Sequence, residues 1–182
     1  LLKLPVMVVV DEAYIDFSDE PSALELILEH SNLVVMRTFS KAWGLAAVRL
    51  GWLIAAPELV QMMNKVKPPY NVNELTQREG HKALANAKEK EDRVATIVRE
   101  RKRLAGALSE MVTIEHVFPS VTNFLLVRFT EEPKTVYNYL LKQGIVVRDR
   151  SGLPGCQRCL RITVGTSKEN DFLLDALKNY TA

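Results

Sequence analysis

At 182 residues the chain has room for one ordinary domain or two small ones, and 47% hydrophobic with 25% charged residues is the composition of a globular protein. Twenty-four basic against 22 acidic side chains leave a formal charge of +2, too balanced for an electrostatic grip on nucleic acid or a membrane surface. No apolar run reaches the ~18 residues of a membrane span, and no signal-peptide pattern opens the chain, so a cytoplasmic protein is expected. The opening LLKLPVMVVVDEAY has no initiator methionine and enters a strand pattern at once, so a longer chain is expected.

Residues 6–10 (VMVVV) are continuously apolar and rich in β-branched side chains, the pattern of a strand covered on both faces in a parallel sheet. Asp11 ends it. Ser18 or Asp19 can cap a helix with Pro21 in its first turn, with Leu24, Ile27 and Leu28 at helical spacing up to His30. A second apolar run at 33–37 completes a strand, helix, strand unit. Residues 50–55 (LGWLIA) predict a third strand, and Pro57 opens a short helix through Met63.

Residues 65–73 (KVKPPYNVN) are a proline-broken connection. Beyond them Val94, Ile97, Val98, Arg101, Leu104, Ala105, Leu108 and Met111 trace one face of a long helix whose start, KEKEDR at 88–93, reads as solvated. The basic run RERKR at 99–103 also reads as a wet helix face. Short strands follow at 114–118, 123–129, 145–148 and 160–164, with a helix through Val136, Tyr137, Leu140 and Leu141 that Gly144 stops. The last helix opens on Thr166 and Glu169 as a capping box and buries Phe172, Leu173, Ala176, Leu177 and Tyr180. The expectation is therefore α/β for residues 1–92 and a long connecting helix with a smaller α+β domain for 93–182.

Cys156 and Cys159 form a single C-x-x-C. A zinc site needs two more ligands, and His30, His81 and His116 are scattered singly; a redox pair usually opens a helix, whereas this one leads into a strand. The pair is read as structural, with no metal site expected.

Chemistry concentrates elsewhere. Parallel strands joined by a right-handed crossover bring Asp11 and Lys41 to the same carboxyl edge of the sheet, where open α/β sheets bind ligands. An acid and an amine there can be a plain ion pair. Their surroundings argue for more: Tyr14 adds a phenol, Ser40 and Arg49 offer a hydroxyl and a guanidinium to an anion, and Gly44, Ala46 and Ala47 let the loop fold closely. A phosphate, a ring nitrogen and an aldehyde carbon suit this set, and those are the functional groups of pyridoxal phosphate.

D-E-A-Y at 11–14 followed by S-K-A-x-G-L-A-x-x-R-x-G at 40–51 resembles the fold-type I pyridoxal-phosphate aminotransferases. Within them, "VVVDEAYIDF", "RTFSKAWGLAAVRLGW", "PPYNV", "TNFLLVRF", "GIVVRDR" and "CLRITVGT" resemble the histidinol-phosphate aminotransferase family in order, from the first residue to the last helix. The resemblance implies part of a large, mainly parallel α/β domain plus a small α+β carboxy-terminal domain. It implies a homodimer with pyridoxal 5′-phosphate as cofactor, moving an amino group between histidinol phosphate and 2-oxoglutarate in histidine biosynthesis.

Carried over residue by residue, Lys41 resembles the lysine that bonds the cofactor aldehyde and then acts as the catalytic base. Asp11 resembles the partner of the ring nitrogen, and Tyr14 the donor to the ring oxygen. Ser40, Arg49 and Thr38 resemble phosphate ligands. Arg148 and Arg161 resemble residues that hold the substrate's anion, although either can instead pair with an acid such as Asp149. Asn123 is a further substrate contact or a residue pinning the turn after Pro119.

The family usually has glycine where Ala47 stands. Its amino-terminal half supplies further cofactor contacts missing from this sequence, so these residues alone are expected to bind cofactor weakly and turn nothing over. Alternatives are a threonine-phosphate decarboxylase or another aminotransferase of the same group, a cofactor-sensing domain of a transcription regulator, and a non-catalytic scaffold.

Overall fold

The computed structural model describes residues 1–180, which divide into two compact units, Leu1–Val94 and Ala95 onward. The first holds a three-stranded sheet in the order β1-β2-β3, built from β1 (Val8–Asp11), β2 (Leu33–Thr38) and β3 (Gly51–Ala55). β1 and β2 run parallel with Asp11 opposite Met36, and β3 returns antiparallel with Gly51 opposite Thr38. Helices α1 (Pro57–Val66) and α2 (Glu74–Ala85) follow, α1 opening on proline and α2 capped by the Asn73 side chain. Helix α3 (Ala87–Ser109) runs across the boundary into the second unit.

Leu33, Val34 and Val35 of β2 are buried on both faces, as a central strand requires. β1 is not: Val9 is half exposed, because β1 is an edge strand among the described residues. The connection between them also differs from the expected helix. It holds only a 3-10 turn at Ala23–Leu26, capped by Ser22 rather than by Ser18 or Asp19. Its apolar stripe is too short to sustain a packed face, since Leu28 lies in solvent. The segment is fastened instead by the buried Glu12 carboxylate, which accepts from the Ser22 hydroxyl at 2.8 Å and the Ala23 N–H at 2.6 Å.

The second unit is an antiparallel sheet in the order β4-β5-β7-β6, from β4 (Ile114–Val117), β5 (Phe124–Phe129), β6 (Arg148–Asp149) and β7 (Cys159–Thr163). Its core joins Leu125, Val127, Phe129, Leu160 and Ile162 of the sheet to Leu104 and Leu108 of α3, Val136 and Leu140 of α4 (Pro133–Lys142), and Leu173, Leu174 and Leu177 of α5 (Ser167–Lys178). Gly144 ends α4 with φ +78 in a Schellman arrangement, its N–H donating to Leu141 O and that of Ile145 to Leu140 O. The capping box of Thr166 and Glu169 opens α5. Phe172, expected in the core, is half exposed; Leu174 occupies the inward position.

Two charged stretches are less wet than their composition indicates. In the 99–103 run Glu100 and Arg101 are buried. Arg101 donates to Thr122 O at 2.7 Å, while Glu100 accepts from Arg103 at 2.8 Å and from Asn170 at 2.9 Å. In the 88–93 run Lys90 reaches Asp16 at 2.9 Å with both side chains four-fifths covered.

Candidate active site

The sheet edge that carries Asp11 opens into a cavity of about 820 Å³, within the ~300–1,000 Å³ of small-ligand sites. Asp11, Thr38, Ser40, Lys41 and Arg49 all line it. The topology explains the gathering. β1 and β2 are parallel and in register, so both chains leave the sheet at the same edge, Asp11 as the last residue of β1 and Ser40 and Lys41 just after β2.

Among the described residues Asp11 and Lys41 form no ion pair. Asp11 instead accepts its own turn's Ala13 N–H at 3.0 Å, and the Lys41 ammonium lies 5.2 Å from the centre of the Tyr14 ring. Tyr14 is therefore beside the lysine, although it does not line the cavity.

The lysine loop is held from both ends. Phe39 N–H donates to Leu50 O at 3.0 Å, Leu45 N–H to Phe39 O at 2.9 Å, and Gly44 N–H to Lys41 O at 3.0 Å. Gly44 has φ +70, so the turn needs glycine for its backbone, while a Cβ there would sit 3.0 Å from the Arg93 guanidinium, the movable end of a long side chain. Trp43 packs on Phe39 at 5.4 Å and takes the Lys90 ammonium over its ring at 5.2 Å.

Arg49 adopts φ 58, ψ 40, a left-handed conformation that a non-glycine residue enters at a cost of order 1 kcal/mol, and such strain gathers at functional sites. Its guanidinium donates to Ala46 O at 3.0 Å from the cavity wall. The Thr38 hydroxyl accepts from Ser40 N–H at 3.0 Å and fixes the bend in which Ser40 presents itself. Ala47 is exposed, so its methyl intrudes on nothing here.

Several cavity residues had no role in the motif: Trp52 on β3, Asn64 on α1, and Lys67 and Asn71 in the proline-broken connection. Trp52 closes the stretch RTFSKAWGLAAVRLGW and Asn71 falls in PPYNV, whereas Asn64 and Lys67 carried no signal. Glu12 is the other omission. It sits one residue past Asp11, bonds Arg37 Nε at 3.0 Å, and Arg37 lies over the Trp52 ring at 5.4 Å.

The second unit has its own cavity of about 430 Å³, lined by Tyr137, Val146, Val147, Arg148, Asp149, Arg161 and Thr163. Arg148 and Arg161 face each other in register on β6 and β7. Neither pairs with Asp149, whose carboxylate takes the Ser151 N–H at 2.8 Å and hydroxyl at 2.6 Å and is held below the ordinary carboxylate range by those bonds. Arg161 stacks 5.0 Å from Phe124, and its Nε is buried with no partner. Two opposed guanidiniums with an unsatisfied buried donor are chemically suited to an anion. Asn123 lines neither cavity; its carbonyl accepts Val164 N–H at 2.9 Å, which ties β5 to the end of β7.

The profile of the family described as Aminotransferase class I and II matches residues 2–177. The chain belongs to that family. It is similar to the histidinol-phosphate aminotransferase of Cytophaga hutchinsonii, 48% identical over 96% of this chain and 50% of the relative. Among solved structures it is similar to the histidinol-phosphate aminotransferase from Clostridium acetobutylicum, with TM-score 0.87 and 28% identity over 94% of this chain and 53% of the other. A third likeness is to the Sinorhizobium meliloti histidinol-phosphate aminotransferase in complex with pyridoxal-5′-phosphate, with TM-score 0.83 and 27% identity over 94% and 47% of the two chains. The chain spans about half the length of the curated relatives it matches.

For an aminotransferase of this class, the donor set of the first cavity fits pyridoxal phosphate. An amine, a carboxylate, two hydroxyls and a guanidinium share one wall system, with a phenol against the amine. No helix among the described residues is long and apolar enough to cross a membrane.

Proposed function

We propose that the protein carrying these residues is a pyridoxal-phosphate-dependent aminotransferase that exchanges an amino group between histidinol phosphate and 2-oxoglutarate in histidine biosynthesis. The observation that carries this reading is the convergence of Lys41, Asp11, Ser40, Thr38 and Arg49 on one cavity at the carboxyl edge of the sheet, in a chain 48% identical to a histidinol-phosphate aminotransferase.

When bound, pyridoxal phosphate supplies an electrophilic aldehyde carbon and a cationic ring that accepts electron density from the carbon losing its proton. The residues do the rest. Asp11, fixed by its own turn, keeps a proton on the ring nitrogen, and each pKa unit of that preference is worth about 1.4 kcal/mol. Tyr14 donates to the ring oxygen. Ser40 and Arg49, with Thr38 behind them, hold the phosphate through hydroxyl and guanidinium bonds. Lys41 holds the cofactor through its amine and, once displaced by substrate, moves the α-proton over a short distance.

Arg148 and Arg161 hold the substrate's anion. The planar fork of each guanidinium suits both a phosphate and a carboxylate, so the same pair serves histidinol phosphate in one half-reaction and glutamate in the other. Asn123 lines neither cavity and is left with a structural task, accepting Val164 N–H at the end of β7. The reading extends to a homodimer in the cytoplasm, which sedimentation of the full-length protein checks for its first part.

The test is a coupled assay of the full-length protein. Glutamate formed from 2-oxoglutarate only when histidinol phosphate is present supports the assignment. Carbon dioxide released from threonine phosphate, with no glutamate, would give the site to a decarboxylase instead.

A further inference from the structure

The aminotransferase reading leaves Cys156 and Cys159 without a task. Both are free thiols, the only two cysteines of the sequence, and the turn that joins them gives the C-x-x-C a geometry its spacing alone did not reveal. Residues 150–159 are three successive turns. Leu153 N–H donates to Arg150 O, Cys156 N–H to Leu153 O and Cys159 N–H to Cys156 O, each at 3.0 Å. The middle turn carries Pro154 and Gly155 (φ +76), the residues a type II turn requires.

The last turn holds the two sulfurs at its ends, and it is a tense one. Arg158, its third residue, has φ 58, where a non-glycine side chain is disfavoured. Neighbouring side chains hold the turn in that state. Arg128 donates from Nε to Gln157 O at 3.1 Å and from Nη2 to Gly155 O at 2.9 Å. Arg158 donates to Thr130 O at 2.8 Å and pairs with Glu115.

A hydrogen-bonded four-residue turn brings its end Cα atoms within ~7 Å, and disulfides need about 4.4–6.8 Å. The Cys159 thiol already points back into the turn, donating to Gln157 O at 3.4 Å. The two thiols also differ in access: Cys156 is half-buried and Cys159 fully shielded. An approachable thiol beside a shielded one is the arrangement of an attacking and a resolving cysteine. Among the described residues no group of three or more His, Cys, Asp or Glu gathers around the pair.

We propose that Cys156 and Cys159 are a dithiol oxidised reversibly to an intramolecular disulfide by low-molecular-weight disulfides. In the first step the Cys156 sulfur, as thiolate, bonds to one sulfur of the disulfide RSSR, whose S–S bond breaks and releases RSH after protonation. In the second the Cys159 sulfur, losing its proton, bonds to Cys156 and displaces the other RSH. The protein loses two electrons and two protons, and RSSR gains them. Cys159 begins β7 two residues before Arg161, and its carbonyl accepts Arg150 N–H at 3.0 Å, so the cross-link forms on the strand pair that carries Arg148 and Arg161.

Glutathione disulfide is the probe. The full-length protein is incubated with it, free thiols are blocked with N-ethylmaleimide, and the product is digested with trypsin, which cuts after Arg150, Arg158 and Arg161. The expected result is peptide 151–158 joined to peptide 159–161, lighter by two hydrogens than the sum of the free peptides and separated by dithiothreitol. The variant C156S is expected to give no linkage, and C159S to stop with glutathione on Cys156. Both cysteines recovered with the blocking group, glutathione persisting on wild-type Cys156, or a disulfide between two copies on a non-reducing gel would each overturn the proposal. These outcomes are independent of transaminase activity.

Discussion

In the second unit, Leu160 and Ile162 of β7 are 0% and 1% exposed; in the first, Leu53 and Ile54 of β3 keep 37% and 40% of their surface open. The contrast runs through both sheets. β5 alternates cleanly into a core that three helices close and β7 adds Leu160 and Ile162 to it, whereas β1 and β3 leave apolar side chains half covered among the described residues. Polar anchors do in the first unit what apolar packing does in the second. Glu12 fastens the crossover to Arg37, Asp16 pairs with Lys90, and Asn32 Nδ2 donates to the carbonyls of Leu2, Leu4 and Val6. Lys41 sits in the unit held by directional bonds, where geometry is fixed without filling the cavity.

That contrast can be broken by substitution. Lys41→Ala is expected to lower transamination by the full-length protein at least ~10³-fold, the scale of losing a positioned proton carrier, while its thermal melting stays within a few degrees of wild type. A parallel loss of folding would move Lys41 from chemistry to structure. For apolar packing, Leu160→Ala is expected to cost about 2–5 kcal/mol in urea denaturation, and Ile54→Ala only about 1 kcal/mol, because much of its surface is never removed from water. Equal costs would mean that β3 is covered in the assembled protein.

The polar anchors give smaller effects. Glu12→Ala leaves the Ser22 hydroxyl, the Ala23 N–H and Arg37 without their acceptor and is expected to cost about 1–3 kcal/mol, with Glu12→Gln recovering part of it. In the second unit the hydrogen bonds from Arg103 and then Asn170 hold the Glu100 carboxyl at about 2, below the ordinary 4.5. A lowered folded-state pKa stabilises fully above the unfolded value and is lost as pH falls through the folded one. Wild type is therefore expected to lose melting temperature between roughly pH 5 and pH 2 more steeply than Glu100→Gln. Identical slopes would remove Glu100 from the acid response.

Local signals were legible in the sequence. The β-branched runs at 6–10 and 33–37 gave two parallel strands, Gly144 ended its helix, and Thr166 with Glu169 opened the last one. The gathering of Asp11, Ser40 and Lys41 at one edge followed from parallel connectivity alone. What escaped depends on partners distant in sequence. Glu12 carries no signal until Arg37 and Ser22 surround it, Lys90 belongs to a wet helix start until Asp16 reaches it, and the C-x-x-C is a spacing without a geometry until the turn at 156–159 closes. The crossover read as a helix because periodicity reports spacing and not whether a surface exists to receive the stripe; Leu28 has none.

The whole reading turns on the Lys41 amine as the group that bonds pyridoxal phosphate. The full-length protein incubated with the cofactor, reduced with borohydride and mapped by peptide mass spectrometry tests it most directly. A phosphopyridoxyl group is expected on Lys41, with Asp11→Ala weakening its incorporation; labelling of Lys67, the other amine of the same cavity, in place of Lys41 would rule this chemistry out.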